Sequence, residues 1–216
     1  MPLLLVDLDN TLIDRTAAFR RWAGRHLPAE DVDWLLTVEA DGYLPRAQVA
    51  EAMRARLGLT RSTADLVEDL LLGHLAEIEV DPAVPAALRR AAAAGWVPVV
   101  VTNGTVRQQE LKLRGTGLDK LVAGWVISEA VGVGKPDPRI FAAAREAAGI
   151  PSAGGWMVGD HPASDIGGGS AAGLSTVWLH RGRPWPESTY HPTGIAGDFA
   201  QAVDFVMAAG RRAVTG

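Results

Sequence analysis

The alternation of short apolar runs with helical segments after about residue 82 constrains the fold more than any other feature of this sequence. An alanine-rich helical segment that ends at Gly95 precedes the first run, and helical segments over about 105–114 and 138–148 separate later ones. The runs read WVPVVVTNG, VAGWVIS, GWMVGD and STVWL. Strands that alternate with helices in this way are typical of a parallel sheet covered on both faces. The Gly- and Pro-rich stretch 182–197 is predicted to be a loop before a closing helix.

The chain opens with another apolar run, LLLV, which we assign to the same sheet. Residues 15–80 interrupt the alternation, and their apolar residues recur at helical spacing. The predicted fold class is therefore α/β: a Rossmann-like parallel sheet core of residues 1–14 and 81–216 with an inserted all-helical cap of residues 15–80. An insertion after the first strand is expected to lie over the carboxyl edge of the sheet, where open α/β folds bind ligands.

The composition excludes several classes of protein. Hydrophobic residues make up 48% and charged residues 21% of the 216-residue chain, which is typical of a globular protein. A net charge of -4 gives no basic footprint for nucleic acid, and the lack of cysteine excludes disulfides, thiolate metal sites and a cysteine nucleophile. The sequence has neither a signal-peptide pattern nor the roughly 18 consecutive apolar residues of a membrane span. We therefore expect a cytoplasmic protein with no membrane or nucleic-acid partner.

Polar side chains follow four of the predicted strands, at places where packing does not require them. Because the carboxyl ends of parallel strands meet at one edge of a sheet, these side chains are expected to crowd into one site. In an extended backbone the first two would also lie on the same side of the strand. They are Asp7 and Asp9 after the first strand, Thr102 and Asn103 after the second, Lys135 after the third, and Asp160 and Asp165 after the fourth.

The charge balance of this predicted site indicates a bound cation. Three or four carboxylates with one ammonium stay net negative, and they cannot all be ionised unless a cation joins them. Oxygen ligands favour a hard ion, so the predicted cofactor is Mg²⁺, and the sequence has no HExxH motif or histidine cluster for zinc. Thr102 and Lys135 offer a hydroxyl and a positive charge for phosphate oxygens. The chain has only three lysines among 21 basic residues, so a lysine in a motif position is less easily accidental.

The segments DLDNTL, VVVTNG, GKPDP and VGDHPASD resemble, in order, the four motifs of the haloacid dehalogenase superfamily, in its phosphatase branch with a helical C1-type cap. The resemblance covers essentially the whole chain and implies hydrolysis of a phosphate monoester with Mg²⁺. It implies that Asp7 is the nucleophile that becomes an aspartyl phosphate, and that Asp9 acts as general acid and then as base. Lys135 would neutralise Asp7 and the transferred phosphate, while Thr102 and Asn103 would hold the phosphoryl group.

The same resemblance implies a set of metal-site residues. Asp7 and the backbone carbonyl of Asp9 would face Mg²⁺, Asp160 would bind the ion, and Asp165 would support that loop as the fourth acidic member of the set. The implied partner is a small phosphorylated metabolite whose identity stays open. A monomer and a homodimer are both compatible with the sequence.

Other interpretations stay open beside this one. Taken singly, Asp9 fits a turn, Thr102 with Asn103 fits a strand-to-helix turn, Lys135 fits a solvated loop, and Asp160 fits a helix cap. A phosphosugar mutase, a 2-haloacid dehalogenase, and a catalytically silent binding or regulatory protein share the fold. An acid at position 9 disfavours the dehalogenase, since a halide leaves without a proton. A phosphorylation receiver would be much shorter and would carry no cap.

The predicted cap contains one polar turn with candidate substrate contacts. The segment EADGYLPRAQ carries a glycine between two helical segments, so it could descend toward the site. Tyr43 and Arg46 are predicted to take part in substrate selection, with a solvated loop as the alternative.

Overall fold

The structure is a computed structural model that describes residues 1–150 and 154–214. Its internal contacts divide the chain into two compact units. Residues Met1–Ile13 and Val80–Gly216 form the first, here the sheet unit, and residues Asp14–Glu79 form the second, here the helical unit. Among the described residues, no helix is long and apolar enough to cross a membrane.

The helical unit packs four helices around an apolar core of its own. The helices are α1 (Arg15–Gly24), α2 (Ala29–Glu39), α3 (Arg46–Leu57) and α4 (Thr63–Leu72). Phe19 of α1, Leu35 of α2, Val49 of α3 and Leu70 of α4 are completely buried and belong to one cluster. The helical spacing of apolar residues in the sequence therefore corresponds to one shared buried interior.

The sheet unit is built on a parallel sheet. Its strands are β1 (Leu3–Val6), β2 (Val97–Thr102), β3 (Gly124–Ile127), β4 (Trp156–Gly159), β5 (Ser175–Leu179) and β6 (Gly194–Ala196). The order across the sheet is β3-β2-β1-β4-β5-β6, and each neighbouring pair is parallel. Because β1 lies between β2 and β4 and is buried along its whole length, it reads as an unbroken apolar run. Val6 pairs with Val100 and Val158, so these three strands end at the same edge.

Helices pack on both faces of this sheet. They are α5 (Ala83–Ala93), α6 (Val106–Thr116), α7 (Ser128–Val131), α8 (Pro138–Ala147), α9 (Gly168–Ala171) and α10 (Phe199–Val214), with a wide helical turn at Pro162–Gly167. On one face, Phe141 of α8 clusters with Leu5 and Met157. Trp156, adjacent to Met157 in β4, points the other way and meets Phe205 of α10 edge-on, with ring centroids 5.9 Å apart.

The structure confirms the predicted α/β class, with its parallel sheet and inserted helices, and corrects two local expectations. The first strand ends at Val6, so Asp7 and Asp9 do not share an extended strand. Leu8 between them is completely buried, and Asn10 turns the chain with a φ of 60°. The stretch 182–197 is not all loop, because its last residues form β6 at the edge of the sheet. A three-residue edge strand carries too little periodicity to be recognised in a sequence.

Candidate active site

The ends of four neighbouring strands bring polar side chains to one edge of the sheet. Asp7 follows β1, Thr102 is the last residue of β2, and Asp160 follows β4. Lys135 lies in the segment between α7 and α8, after β3. All four residues are buried, with 1% to 7% of their surface exposed. The convergence expected from parallel strands is therefore present.

Lys135 joins two carboxylates at the centre of this group. Its Nζ donates to Oδ1 of Asp7 at 2.6 Å and to Oδ1 of Asp165 at 2.7 Å. Burial by itself would lower the pKa of Lys135, but the charges of Asp165 and Asp7 outweigh it and the pKa is raised. Lys135 therefore carries its positive charge at any ordinary pH, directly against Asp7.

Asn103 fixes the backbone of Lys135. Its Nδ2 donates to the Lys135 carbonyl at 2.9 Å, and its Oδ1 accepts from the Lys135 N–H at 2.8 Å. Gly134 makes this approach feasible, because a Cβ at that position would lie 2.8 Å from Asn103 Oδ1. The asparagine after β2 thus holds the segment that presents the lysine.

Three buried carboxylates form a group that could hold a metal ion. Asp7, Asp160 and Asp165 each offer an oxygen, and these oxygens lie within 4.8 Å of one another. Burial raises the pKa of Asp7 to about 8, although Lys135 opposes the shift. Burial, followed by the charge of Asp165, raises the pKa of Asp160 to about 7. Asp7 and Asp160 thus resist ionisation without a counter-charge, and closely spaced carboxylate oxygens fit a hard divalent cation such as Mg²⁺.

Asp165 is held from two sides. One oxygen accepts from Lys135, and Oδ2 accepts from the backbone N–H of His161 at 2.9 Å. The absence of a side chain at Gly159 leaves space for the carboxyl, since a Cβ there would overlap it. Through these contacts, Asp165 connects Lys135 to the backbone of the segment that follows β4.

Asp160 is held by residues that sequence reasoning did not find. Arg183 Nη2 donates to the Asp160 carbonyl at 2.8 Å and to Oδ2 at 2.9 Å, and Trp178 Nε1 donates to the same carbonyl at 2.8 Å. Arg181 approaches Oδ2 at 3.7 Å. Arg183 lies in the stretch 182–197, which is predicted from its Gly and Pro residues to be a loop, and it belongs to none of the four motifs. Its role depends on how the segment after β5 folds back against the end of β4.

The carboxylate of Asp9 contacts a second lysine. Lys112 Nζ lies 2.8 Å from Oδ1 and 2.7 Å from Oδ2, and Gln109 Nε2 donates to Oδ2 at 3.0 Å. Gln109 Nε2 also lies 2.5 Å from the hydroxyl oxygen of Thr102. Among the described residues, the Asp9 carboxylate is not part of the group of Asp7, Asp160 and Asp165 that could hold a metal ion, and Lys112 meets its charge. The scarcity of lysine was the sequence signal that could have drawn attention to Lys112.

Comparison with known proteins places the chain in a family. A model of haloacid dehalogenase-like hydrolases matches residues 1–173. The chain belongs to this family. Among solved structures, the HAD-hydrolase YfnB from Bacillus subtilis, bound to magnesium, superimposes with a TM-score of 0.80 at 21% identity, covering 95% of this chain and 98% of that one. At this identity the likeness shows the haloacid dehalogenase-like fold.

Curated relatives of this haloacid dehalogenase-like hydrolase differ in their reactions. A phosphoserine phosphatase from Thermus thermophilus is 41% identical over 120 residues, which are 56% of this chain and 48% of that protein. An (S)-2-haloacid dehalogenase 4A from Burkholderia cepacia is 26% identical over 159 residues, 74% of this chain and 64% of that protein. The chain thus aligns with about half the length of the phosphatase, and these two relatives do not agree on one reaction.

The two residues predicted for substrate selection lie in the helical unit. Tyr43 is exposed, with 54% of its surface accessible. Arg46 Nη1 donates to Oε2 of the completely buried Glu39 at 2.9 Å, and Arg15 holds the same carboxylate through both of its oxygens. These contacts give Arg46 a place in the interior of the helical unit. The roles of Tyr43 and Arg46 toward substrate stay predictions.

Proposed function

We propose that this haloacid dehalogenase-like hydrolase is a Mg²⁺-dependent phosphatase that cleaves a small phosphate monoester through an aspartyl phosphate on Asp7. The observation that carries the proposal is the buried group of Asp7, Asp160 and Asp165 with Lys135 bonded to Asp7. The three carboxylates outnumber the two cations that donate hydrogen bonds to them, Lys135 and Arg183, so these groups together stay net negative when all are ionised. A divalent cation would compensate this negative charge, whereas displacement of a halide calls for no metal ion.

The residues that would hold Mg²⁺ are Asp7, Asp160 and the backbone carbonyl of Asp9, with Asp165 behind them. When bound, the ion would supply positive charge for the phosphoryl oxygens. Lys135 supplies the second positive charge, from its position 2.6 Å from Asp7 Oδ1. A carboxylate and a phosphate dianion repel each other, so these charges are needed before Asp7 can attack.

The reaction consists of two transfers at phosphorus. In the first, which starts with Asp9 protonated, a carboxylate oxygen of Asp7 forms a bond to phosphorus, the ester P–O bond breaks, and Asp9 gives its proton to the departing alkoxide and becomes ionised. In the second, Asp9 takes a proton from water, the water oxygen bonds to phosphorus, and inorganic phosphate leaves Asp7. Thr102 and Asn103 are proposed to hold the phosphoryl group, beside the contacts that Asn103 makes to Lys135.

The helical unit is proposed to act as a cap that selects a small, soluble phosphorylated metabolite. A cytoplasmic location fits such a substrate. Phosphosugar mutation uses the same phosphoryl chemistry and would differ by a requirement for a bisphosphate. Dehalogenation of a 2-haloacid would make an alkyl ester on Asp7 and would need neither Mg²⁺ nor a proton donor at Asp9.

A substrate panel tests the proposal. The enzyme is assayed for release of inorganic phosphate from p-nitrophenyl phosphate and a set of phosphometabolites, and for release of chloride from 2-chloropropionate, with Mg²⁺ or with EDTA in excess. We expect phosphate release with Mg²⁺, its loss in EDTA, and no chloride. Full phosphate release in EDTA would reject the metal role, and chloride release without phosphate release would replace the proposal with a dehalogenase. The variant Asp7→Asn controls for contaminating activity.

A further inference from the structure

Helix α6 carries a polar pair that reaches across to Asp9. Gln109 and Lys112 lie three residues apart, so they share one face of the helix. Lys112 contacts both carboxylate oxygens of Asp9, and Gln109 contacts one of them. The α6 pair, Gln109 with Lys112, therefore supplies side-chain donors to both oxygens of this carboxylate.

Both side chains of the α6 pair are buried. The side chain of Lys112 is 1% exposed, while that of Asp9 is 23% exposed. Gln109 is completely buried. Burying an ammonium costs free energy unless an anion meets it, and Asp9 in its ionised form, which is the form that accepts a proton from water, provides that anion. An exposed lysine side chain could move while it is paired with Asp9, whereas the buried Lys112 side chain approaches Asp9 from one fixed direction.

Gln109 links Asp9 to the end of β2. Its Nε2 reaches the Thr102 hydroxyl at 2.5 Å and the Asn103 carbonyl at 3.2 Å, in addition to Asp9. Because an amide nitrogen has only two hydrogens, it can serve two of these three acceptors at a time. Gly104 leaves room for the amide, since a Cβ there would lie 3.1 Å from Gln109 Cδ. Gln109 of α6 thus connects Asp9 in the first motif, DLDNTL, with Thr102 and Asn103 in the second motif, VVVTNG.

We infer that Lys112, assisted by Gln109, is a positioning residue that fixes the carboxylate of Asp9 in the direction needed for proton transfer. The inference rests on the proposed phosphatase function and deepens it. Lys112 acts through Asp9 and is assigned no contact with the phosphoryl group or with Mg²⁺. Proton transfer depends steeply on geometry, so a misdirected carboxylate slows the steps that use it while leaving substrate binding intact.

The test compares Lys112→Met with Lys120→Met, an exposed lysine just beyond the same helix. Both variants are assayed with p-nitrophenyl phosphate and with the alkyl phosphate turned over fastest in the substrate panel. For Lys112→Met we expect kcat for the alkyl ester to fall roughly 10- to 100-fold with little change in KM. Single-turnover release of nitrophenol should fall less, because nitrophenolate leaves with little need of a proton. Lys120→Met should match the wild-type enzyme.

This comparison separates positioning from mere stability. A purely structural role would lower the active fraction and reduce the rates for both esters by the same factor, and that result would overturn the inference. Wild-type kinetics in Lys112→Met would also overturn it. If the wild-type enzyme hydrolyses neither ester with Mg²⁺, the proposed function fails and the inference fails with it; an active wild type with an unaffected variant rejects the inference alone.

A double variant keeps the test decisive if Lys112→Met folds poorly. Asp9→Asn with Lys112→Met leaves no unpaired charge between these two positions. Because Lys112 acts through Asp9, the double variant should have the same kcat as Asp9→Asn alone. If the correctly folded double variant had a kcat tenfold or more below that of Asp9→Asn, Lys112 would act by another route and the inference would be overturned. The melting temperatures of all variants are measured alongside.

Discussion

Lys135 is the residue on which the candidate site is assembled. Its ammonium contacts Asp7 and Asp165, and Asn103 holds its backbone through two hydrogen bonds. An ammonium is compact, whereas a guanidinium is planar and longer, so the two are not interchangeable where both acceptors lie within 2.7 Å of one nitrogen. The positions of Asp7 and Asp165 therefore require a lysine at position 135, and the positive charge of an arginine would not replace it.

Replacing Lys135 by arginine is expected to damage catalysis although the charge is kept. The larger group has to displace Asp7 or Asp165, so kcat should fall by about 10²-fold or more. Steady-state kinetics with p-nitrophenyl phosphate measure this, and circular dichroism checks the fold. Near wild-type kinetics in Lys135→Arg would place the lysine outside the reaction.

At the scale of elements, the end of β4 depends on a glycine. A Cβ at Gly159 would overlap the Asp165 carboxyl, whereas a Cβ at Gly124, the first residue of β3, would meet nothing within 4 Å. Gly159→Ala should therefore push Asp165 away from Lys135 and lower kcat at least about tenfold, with weaker Mg²⁺ binding by calorimetry. Gly124→Ala is the matched control and should behave as wild type. If the two variants behaved alike, the role of Asp165 in connecting Lys135 to the segment after β4 would be contradicted.

Within the helical unit, Glu39 is completely buried between Arg15 and Arg46. Arg46→Ala removes one of the two cations, and we expect a loss of about 1–3 kcal/mol in stability, because Arg15 still holds the carboxylate. Thermal unfolding measures the loss. An unchanged melting temperature with a raised KM for one phosphate ester would instead assign Arg46 to substrate contact.

The sequence predicts the strand ends well because each of them follows a buried apolar run. Asp7, Thr102 and Asp160 sit where β1, β2 and β4 end, and the parallel order then brings them together. Lys112 and Arg183 could not be found in that way. Each reaches the site from the middle of a helix or from a loop, and its contact depends on which elements become neighbours in the sheet.

For the whole molecule, the acidic group of Asp7, Asp160 and Asp165 should make stability depend on pH and on added Mg²⁺. The raised pKa values of Asp7, to about 8, and Asp160, to about 7, mean that the folded, metal-free protein holds protons that the unfolded chain releases near pH 4. Stability should therefore fall as the pH rises from about 4 to about 8. The proposed Mg²⁺ would bind the ionised carboxylates, so its stabilising effect should grow over the same range.

Thermal unfolding at pH 5 and pH 8, with EDTA or Mg²⁺, measures this dependence. We expect a lower metal-free melting temperature at pH 8, and a larger increase on adding Mg²⁺ at pH 8 than at pH 5. One pKa unit corresponds to about 1.4 kcal/mol, so the effect should be readily visible. Asp7→Asn lacks one titrating carboxyl and should show a flatter profile. A metal-free protein that becomes more stable toward pH 8 would contradict the picture of a buried, under-compensated acidic group.

The covalent intermediate tests the central claim most directly. In Asp9→Asn the second transfer would lack its proposed base, so the aspartyl phosphate should accumulate when the variant is mixed with p-nitrophenyl phosphate and Mg²⁺ and quenched in acid. Mass spectrometry of the intact protein and its peptides should find one phosphoryl group on the peptide that contains Asp7. The double variant Asp7→Asn with Asp9→Asn should carry no phosphoryl group on this peptide. Turnover by the wild-type enzyme with no phosphoryl adduct in Asp9→Asn, or an adduct on a different residue, would contradict nucleophilic attack by Asp7.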